Sequence, residues 1–494
     1  MGLTKGLLCN MLEISSTAGW ISTSISVLLV TLVVVLRNWN WWSYAPSLQK
    51  GQAPLPPGDM GWAVVGHMLD FLRAFKSQEP DTFIGNMIKR WGRVPLYTTH
   101  LFGQPTALAT TAESIKQVCM NGTVFKSGWP KATRTVLGRK SFSVLEGDEH
   151  RRLRRLTAQG LQGQEALKAY IPRVEELVKA KLTNWEALGQ FKLVEKLQQF
   201  TFEVITYVFM SYPGGPQAQE LLHDFELMVH GLRAMAINIP GFAYYKSLKA
   251  RKEVLKKIQA ILDERRATKT ANHGDVLGSL LEMQDENGSH LTDEEIIDTM
   301  LVFLIAGHQS STFSIMWAMI FLQRHPEALK ACREEQLRIR EARDPGEPLA
   351  YADFRSMNFL NDVIDETLRI VNVSPFVFRR VTETTQIEGF TVPKGWFVEN
   401  WFRAVHTDPE VYPEPYAFKP ERWKTFRPKA GQFSPFGLGN RSCIGIELAK
   451  MEMSIFLHLV ILDYRWEPIH PNAPVRYLPH PQPVDGCLIN FSRL

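Results

Sequence analysis

The chain has 494 residues, of which 45% are hydrophobic and 22% charged, and its formal net charge is +5. Such a composition is globular and leaves no room for long disorder, and so small a basic excess over this length does not argue for a nucleic-acid partner. Five scattered cysteines (Cys9, Cys119, Cys332, Cys443 and Cys487) form no C-x-x-C pair, which excludes a disulfide framework and a zinc site and fits a reducing compartment.

The first element is apolar. Trp20 to Leu36 reads WISTSISVLLVTLVVVL, about 25 Å long as a helix, near the short limit for a bilayer span. Trp39, Trp41, Trp42 and Tyr44 follow as an interfacial aromatic belt would. No small-residue cleavage site follows, so residues 1–44 read as a retained membrane anchor rather than a cleaved signal. Arg37 and Lys50 after the span outnumber Lys5 before it, which puts the C-terminal side in the cytosol. The Pro54 to Gly58 stretch, PLPPG, makes residues 45–58 a stiff linker. Residues 59–494 then read as one large, mostly α-helical domain with small β-sheets.

Helical periodicity is clear at 164–185, 246–266, 293–324, 359–371 and 446–462, and Gln386 to Val392 is strand-like. The longest helix opens with a capping box, Thr292 and Glu295, and stops before Pro326. Its centre, Leu301 to Ile305, is apolar on all faces and therefore buried. Ala306-Gly-His-Gln-Ser-Ser311 interrupts it with a glycine and polar groups that are expensive there unless satisfied. That reads either as a packing kink or as a functional segment.

Two further motifs follow. Glu366-Thr-Leu-Arg369 fits E-x-x-R, a weak signal that a surface i,i+3 pair would also give. Phe436-Gly-Leu-Gly-Asn-Arg-Ser-Cys-Ile-Gly445 fits F-x-x-G-x-R-x-C-x-G, expected by chance in roughly one chain in ten thousand. Glycines let backbone approach a flat ligand, Arg441 offers a fork for a carboxylate, and Cys443 lies before a helical run that favours a thiolate. No Gly-rich dinucleotide fingerprint follows a strand, and neither a P-loop nor a G-x-S-x-G elbow occurs, so the chain does not itself read as a dinucleotide binder.

The cysteine loop, the interrupted helix and E-x-x-R at this order resemble the cytochrome P450 family, over essentially the whole chain after the anchor. The resemblance implies that fold, and haem b held by a Cys443 thiolate, with Phe436 in the haem-binding loop. It implies propionate contacts from Arg154, Arg379 and Arg441, with His150 where the family often has Trp. Glu366, Arg369 and Arg422 would form a buried structural triad. The segment Gln309, Ser310 and Ser311 would handle oxygen and protons. Here Gln309 stands where the family usually has an acid and Ser310 where it has threonine, so a water chain or His308 would have to help. Arg151, Arg152 and Arg155 would leave a basic face for an acidic NADPH–cytochrome P450 reductase. The implied location is the endoplasmic reticulum membrane with a cytosolic catalytic domain, a plastid outer envelope being the alternative.

Several stretches are similar to the plant ent-kaurenoic acid oxidase branch, including those starting at Gly58, Arg233, Ile364, Trp401 and Pro428. The resemblance implies successive oxidation of a diterpenoid acid to a gibberellin precursor; the alternative is a triterpene of β-amyrin type or a steroid. A substrate carboxylate needs a cation, for which Arg134 and Arg139 are the candidates. Arg380 after Arg379, and Ile446-Glu447 after the cysteine loop, depart from the usual pattern.

Overall fold

The structure, a computed structural model, describes residues 3–232, 234, 236–268 and 274–494, with side chains from residue 24 onward. Arg233, and the side chains of Lys5 and Trp20, lie outside the described residues. The expected helices are present as Gln164–Leu188, Ala243–Thr268, Asp293–Arg324, Asn358–Val371 and Ile446–Asp463. The long helix (Asp293–Arg324) carries the capping box and is buried along most of its length. It packs on Leu193–Met210, on the E-x-x-R helix (Asn358–Val371) and on the helix that follows Cys443.

A five-stranded sheet takes the order Leu96–Leu101, Gln104–Ala109, Phe397–Trp401, Phe376–Val381, Phe125–Ser127. Its two faces bury separate apolar clusters. Leu96, Ala107 and Val398 face one, while Tyr97, Leu108 and Trp401 face the other, as the two-residue strand period requires. The strand-like stretch at 386–392 is a hairpin, Thr385–Ile387 paired with Phe390–Val392. Glu388 and Gly389 turn it with φ of 48° and 80°, the two positive values a tight hairpin turn demands.

The N-terminal helix runs from Leu3 to Tyr44. Within it Ser24–Tyr44 is long and apolar enough to cross a membrane, and only 6% of that window is buried. Its end is joined to the domain. Asn40, 1% exposed, donates to Met60 O and Trp62 O and accepts from Val64 N. Arg37 pairs with Asp59 at 2.9 Å.

The proline stretch is not a free spacer. Pro54 O accepts from Thr391 N, Pro57 O from Thr98 N, and Pro56 O from Thr98 Oγ1. Proline removes donors but keeps carbonyls, so the segment is stitched along the sheet by acceptors alone.

Candidate active site

Cys443 sits where a loop meets a helix. One 3-10 turn, Gly439–Arg441, precedes it, and Gly445 caps Ile446–Asp463. The loop closes through Cys443 N donating to Phe436 O at 2.8 Å. Gly439 has φ 75°, and a Cβ there would lie 2.2 Å from Cys119 O, so this approach needs glycine. The Cys443 side chain has open surface, whereas Ile444 beside it is buried. Protein surrounds the thiol on nearly all other sides and pushes it up, against the Gly445 N–H and the Arg154 guanidinium, which pull it down. The helix N-terminus therefore does not by itself give a thiolate. A coordinated metal ion would deprotonate the thiol outright.

The cations expected around a haem come together here. Arg154, on the helix Gly147–Gln159, donates to Ser442 Oγ at 3.2 Å. Arg441 donates to Ser143 O at 3.3 Å and Leu145 O at 2.6 Å, and Arg379 to Phe378 O at 2.9 Å. Burial, then the charges of Arg379 and Arg154, bring Arg441 down to about 10. His150, 3% exposed, is brought down to about 4 by burial and by Arg441 and Arg154, and stays neutral. Among the described residues these three guanidiniums hydrogen-bond to carbonyls and a hydroxyl, not to carboxylates. One soft ligand plus one buried and two half-buried cations, none hydrogen-bonded to a carboxylate, is a donor set that fits iron protoporphyrin with its two propionates. Cys443 would hold the iron, and Arg154, Arg379 and Arg441 would hold the propionates.

Other basic residues on that helix are satisfied by the protein. Arg152 pairs with Asp285 at 2.6 Å and Glu295 at 2.8 Å, while Arg151 pairs with Asp148 and Arg155 with Glu286. The expected basic docking face is thus largely neutralised on this helix.

Glu366 and Arg369 are both fully buried, with Glu366 Oε1 2.8 Å from Arg369 and 2.9 Å from Arg422. Lys419 N donates to the same oxygen. Arg369 also donates to His406 O and Pro415 O, each at 2.7 Å. Every edge of this triad is used within the protein, so it is a clamp, and no edge of it is left for a ligand.

The polar segment of the long helix does not break it: the α-helix is continuous from Asp293 to Arg324. Ser310 Oγ donates to Ala306 O at 2.6 Å, a bond back along the helix that absorbs the hydroxyl. Gly307 serves packing, since a Cβ there would lie 3.1 Å from Ile205 Cγ2. Ala306 is exposed and Ile305 and Gly307 beside it are half-buried, so this part of the helix is not fully covered by protein.

His308 points elsewhere. It is fully buried against Phe202 and Phe225, and Thr201 Oγ1 lies 3.1 Å from its Nδ1. Burial brings it down to about 3, so it does not carry a proton for the site near neutrality. Ser311 instead lies beside Glu452, whose carboxyl burial pushes up to about 8. Gln309 Oε1 lies 2.8 Å from His480 Nε2. Neither Glu452 nor His480 was visible from sequence reasoning; the latter is 171 positions away with no motif linking it. Arg134 and Arg139 are both exposed, and the buried side of Lys131–Leu137 is Ala132, Thr133, Val136 and Leu137.

Fold and site together define a haem-thiolate oxygenase. The family model described as Cytochrome P450 matches residues 56–484, and the chain belongs to that family. It is 45% identical to "Ent-kaurenoic acid oxidase 2" of Arabidopsis thaliana, over 94% of this chain and 96% of that protein. It is 44% identical to "Ent-kaurenoic acid oxidase" of Oryza sativa subsp. japonica, over 96% of each. "Beta-amyrin 11-oxidase" of Glycyrrhiza uralensis is 38% identical over 96% of this chain and 99% of that one. Among solved structures, retinoic acid-bound cyanobacterial CYP120A1 superposes with a TM-score of 0.81 at 29% identity, covering 90% of this chain and all of that one. The chain is a haem-thiolate monooxygenase whose cofactor is haem with cysteine ligation. Haem, when bound, supplies the one-electron and dioxygen chemistry; the protein supplies ligand, orientation and proton access.

Proposed function

We propose that this chain is an ent-kaurenoic acid oxidase, oxidising that diterpenoid acid in successive steps to a gibberellin precursor. The observation that carries the reading is the 45% identity to the Arabidopsis oxidase over nearly the full length of both chains. In this reading Cys443 is the iron ligand, and Arg154, Arg379 and Arg441 hold the propionates. The segment of Gln309, Ser310 and Ser311 would hold and move protons for the reaction. Residues 1–44 anchor the protein, 45–58 tie the anchor to the sheet, and 59–494 form the catalytic domain. The host membrane is the endoplasmic reticulum, and an NADPH–cytochrome P450 reductase supplies the electrons.

A second reading, oxidation of a neutral triterpene, has one observation in its favour. Arg134 and Arg139 are exposed, so they offer no inward cation to a substrate carboxylate.

The test is product analysis from microsomes holding this protein, a plant reductase and NADPH, fed ent-kaurenoic acid and β-amyrin separately. Hydroxylated and further oxidised products of the acid are expected. Turnover of β-amyrin alone would replace the first reading with the second.

A further inference from the structure

Gln309 stands one residue before Ser310, at the position where an acid would be expected from the family resemblance. Its partner, His480, is 7% exposed and lies between the short paired strands Val475–Arg476 and Gln482–Pro483. The histidine joins three segments. Nε2 meets Gln309 Oε1 at 2.8 Å on the long helix, and Nδ1 meets Val373 O at 3.3 Å, just beyond the E-x-x-R helix. The ring packs 4.9 Å from Phe313, one helical turn after Gln309. Trp317 Nε1 donates to Pro481 O at 2.8 Å and holds the turn in place.

Counting hydrogens sharpens this arrangement. A neutral imidazole has one N–H and one acceptor nitrogen, and a backbone carbonyl only accepts. Val373 O therefore selects the tautomer with the proton on Nδ1. Nε2 is then an acceptor, and it is satisfied when the Gln309 amide turns its NH2 group toward it. The amide oxygen is left facing away from the ring, as an acceptor in the half-buried surroundings of Gln309 and Ser310. An amide has nearly the same outline either way round, so without the histidine nothing on its own side chain fixes which end is presented.

We infer that His480 is a positioning residue for the oxygenation reaction: from the C-terminal hairpin it fixes the tautomer-matched orientation of the Gln309 amide, so that the amide oxygen is held as an acceptor on the side away from the ring. The C-terminal hairpin thereby takes part in the proton-handling segment, and Gln309 gains an orientation that a carboxylate would not need.

The test uses the haem-loaded full chain labelled with 15N in the histidine rings, with His480 assigned by the signal lost in H480Q. The native protein at neutral pH is expected to show the Nδ1–H tautomer, with Nε2 as acceptor. In Q309E the carboxylate has no N–H to give, so both ring nitrogens are expected to be protonated. A native Nε2–H tautomer, a native ring protonated on both nitrogens and donating to Gln309 Oε1, or a Q309E spectrum like the native one, overturns the proposal. This readout needs no substrate and is independent of which terpenoid is oxidised. In the second arm, peroxide released per NADPH consumed is expected to rise about threefold or more in H480F and in Q309L, with the double variant no worse than either. H480F keeps a ring against Phe313, and thermal unfolding of both variants checks that the fold is retained. Additive effects in the double variant would mean that the two residues act separately and would refute the coupling.

Discussion

Two clusters of arginine, a deeply buried one around Glu366 and a partly buried one near Cys443, are built on opposite rules. Around Glu366, Arg369 and Arg422 share one carboxylate and their remaining donors go to carbonyls. Around Cys443, Arg154, Arg379 and Arg441 are gathered without such a carboxylate, and burial, then its neighbours' charge, holds Arg441 down. Burying a cation is costly unless it is paired, so the first cluster is complete as protein while the second is complete only with an anion. The difference separates a clamp from a binding site with no reference to motif.

The largest effect that tests this contrast is expected in the clamp. Arg369→Leu leaves Glu366 buried beside a single arginine, and a loss of ~3–5 kcal/mol in urea unfolding is expected. A loss below about 1 kcal/mol would show that the pairing is dispensable there.

A buried carboxyl with no cation sharpens the contrast from the other side. Both oxygens of Glu399 are buried without a hydrogen-bond partner, and burial pushes the group up to about 8 from 4.5. The folded protein therefore binds a proton that the unfolded chain releases. This contribution to stability is fully present below pH 4.5 and is lost as pH rises through about 8. Glu399→Gln is expected to flatten the pH dependence of unfolding across that window and to stabilise the protein at pH 7, by on the order of 1–3 kcal/mol. A variant less stable than the native protein at pH 7 would contradict the assignment.

In the site the sign reverses. Arg441→Leu is expected to weaken haem retention about tenfold, ~1.4 kcal/mol, while the haem-free protein unfolds no more easily than before. Equal losses with and without haem would make Arg441 a structural residue like Arg369. The mildest change is Thr201→Val, which takes a partner from His308 and Thr312 and is expected to cost ~1 kcal/mol in thermal unfolding with catalysis unaltered.

Much of this was legible in the order of residues because local rules act over short spans. Thr292 and Glu295 cap the long helix as their spacing requires, and Pro326 ends it. Gly439 and Gly445 shape the cysteine loop within ten residues of chain. Errors arose where a local signal had a distant cause. Gly307 reads as a kink, but its missing Cβ makes room for Ile205, about a hundred positions earlier. His308 is adjacent to Gln309, yet on a helix neighbours point in different directions, and only packing shows that it turns toward Thr201. The proline stretch has the composition of a spacer, and only the strands beside it reveal that its three proline carbonyls are engaged.

Composition, periodicity and the spacing around Cys443 determined the class of fold, the apolar N-terminal helix and the residue offered to iron. Each depends on contacts between residues near in sequence. The tertiary structure decided which arginines face Cys443 and which face carboxylates, that Arg134 and Arg139 stay at the surface, and that His480 meets Gln309. Those outcomes depend on which distant segments share an interior, because burial sets the cost of a charge and only the folded chain defines what is buried.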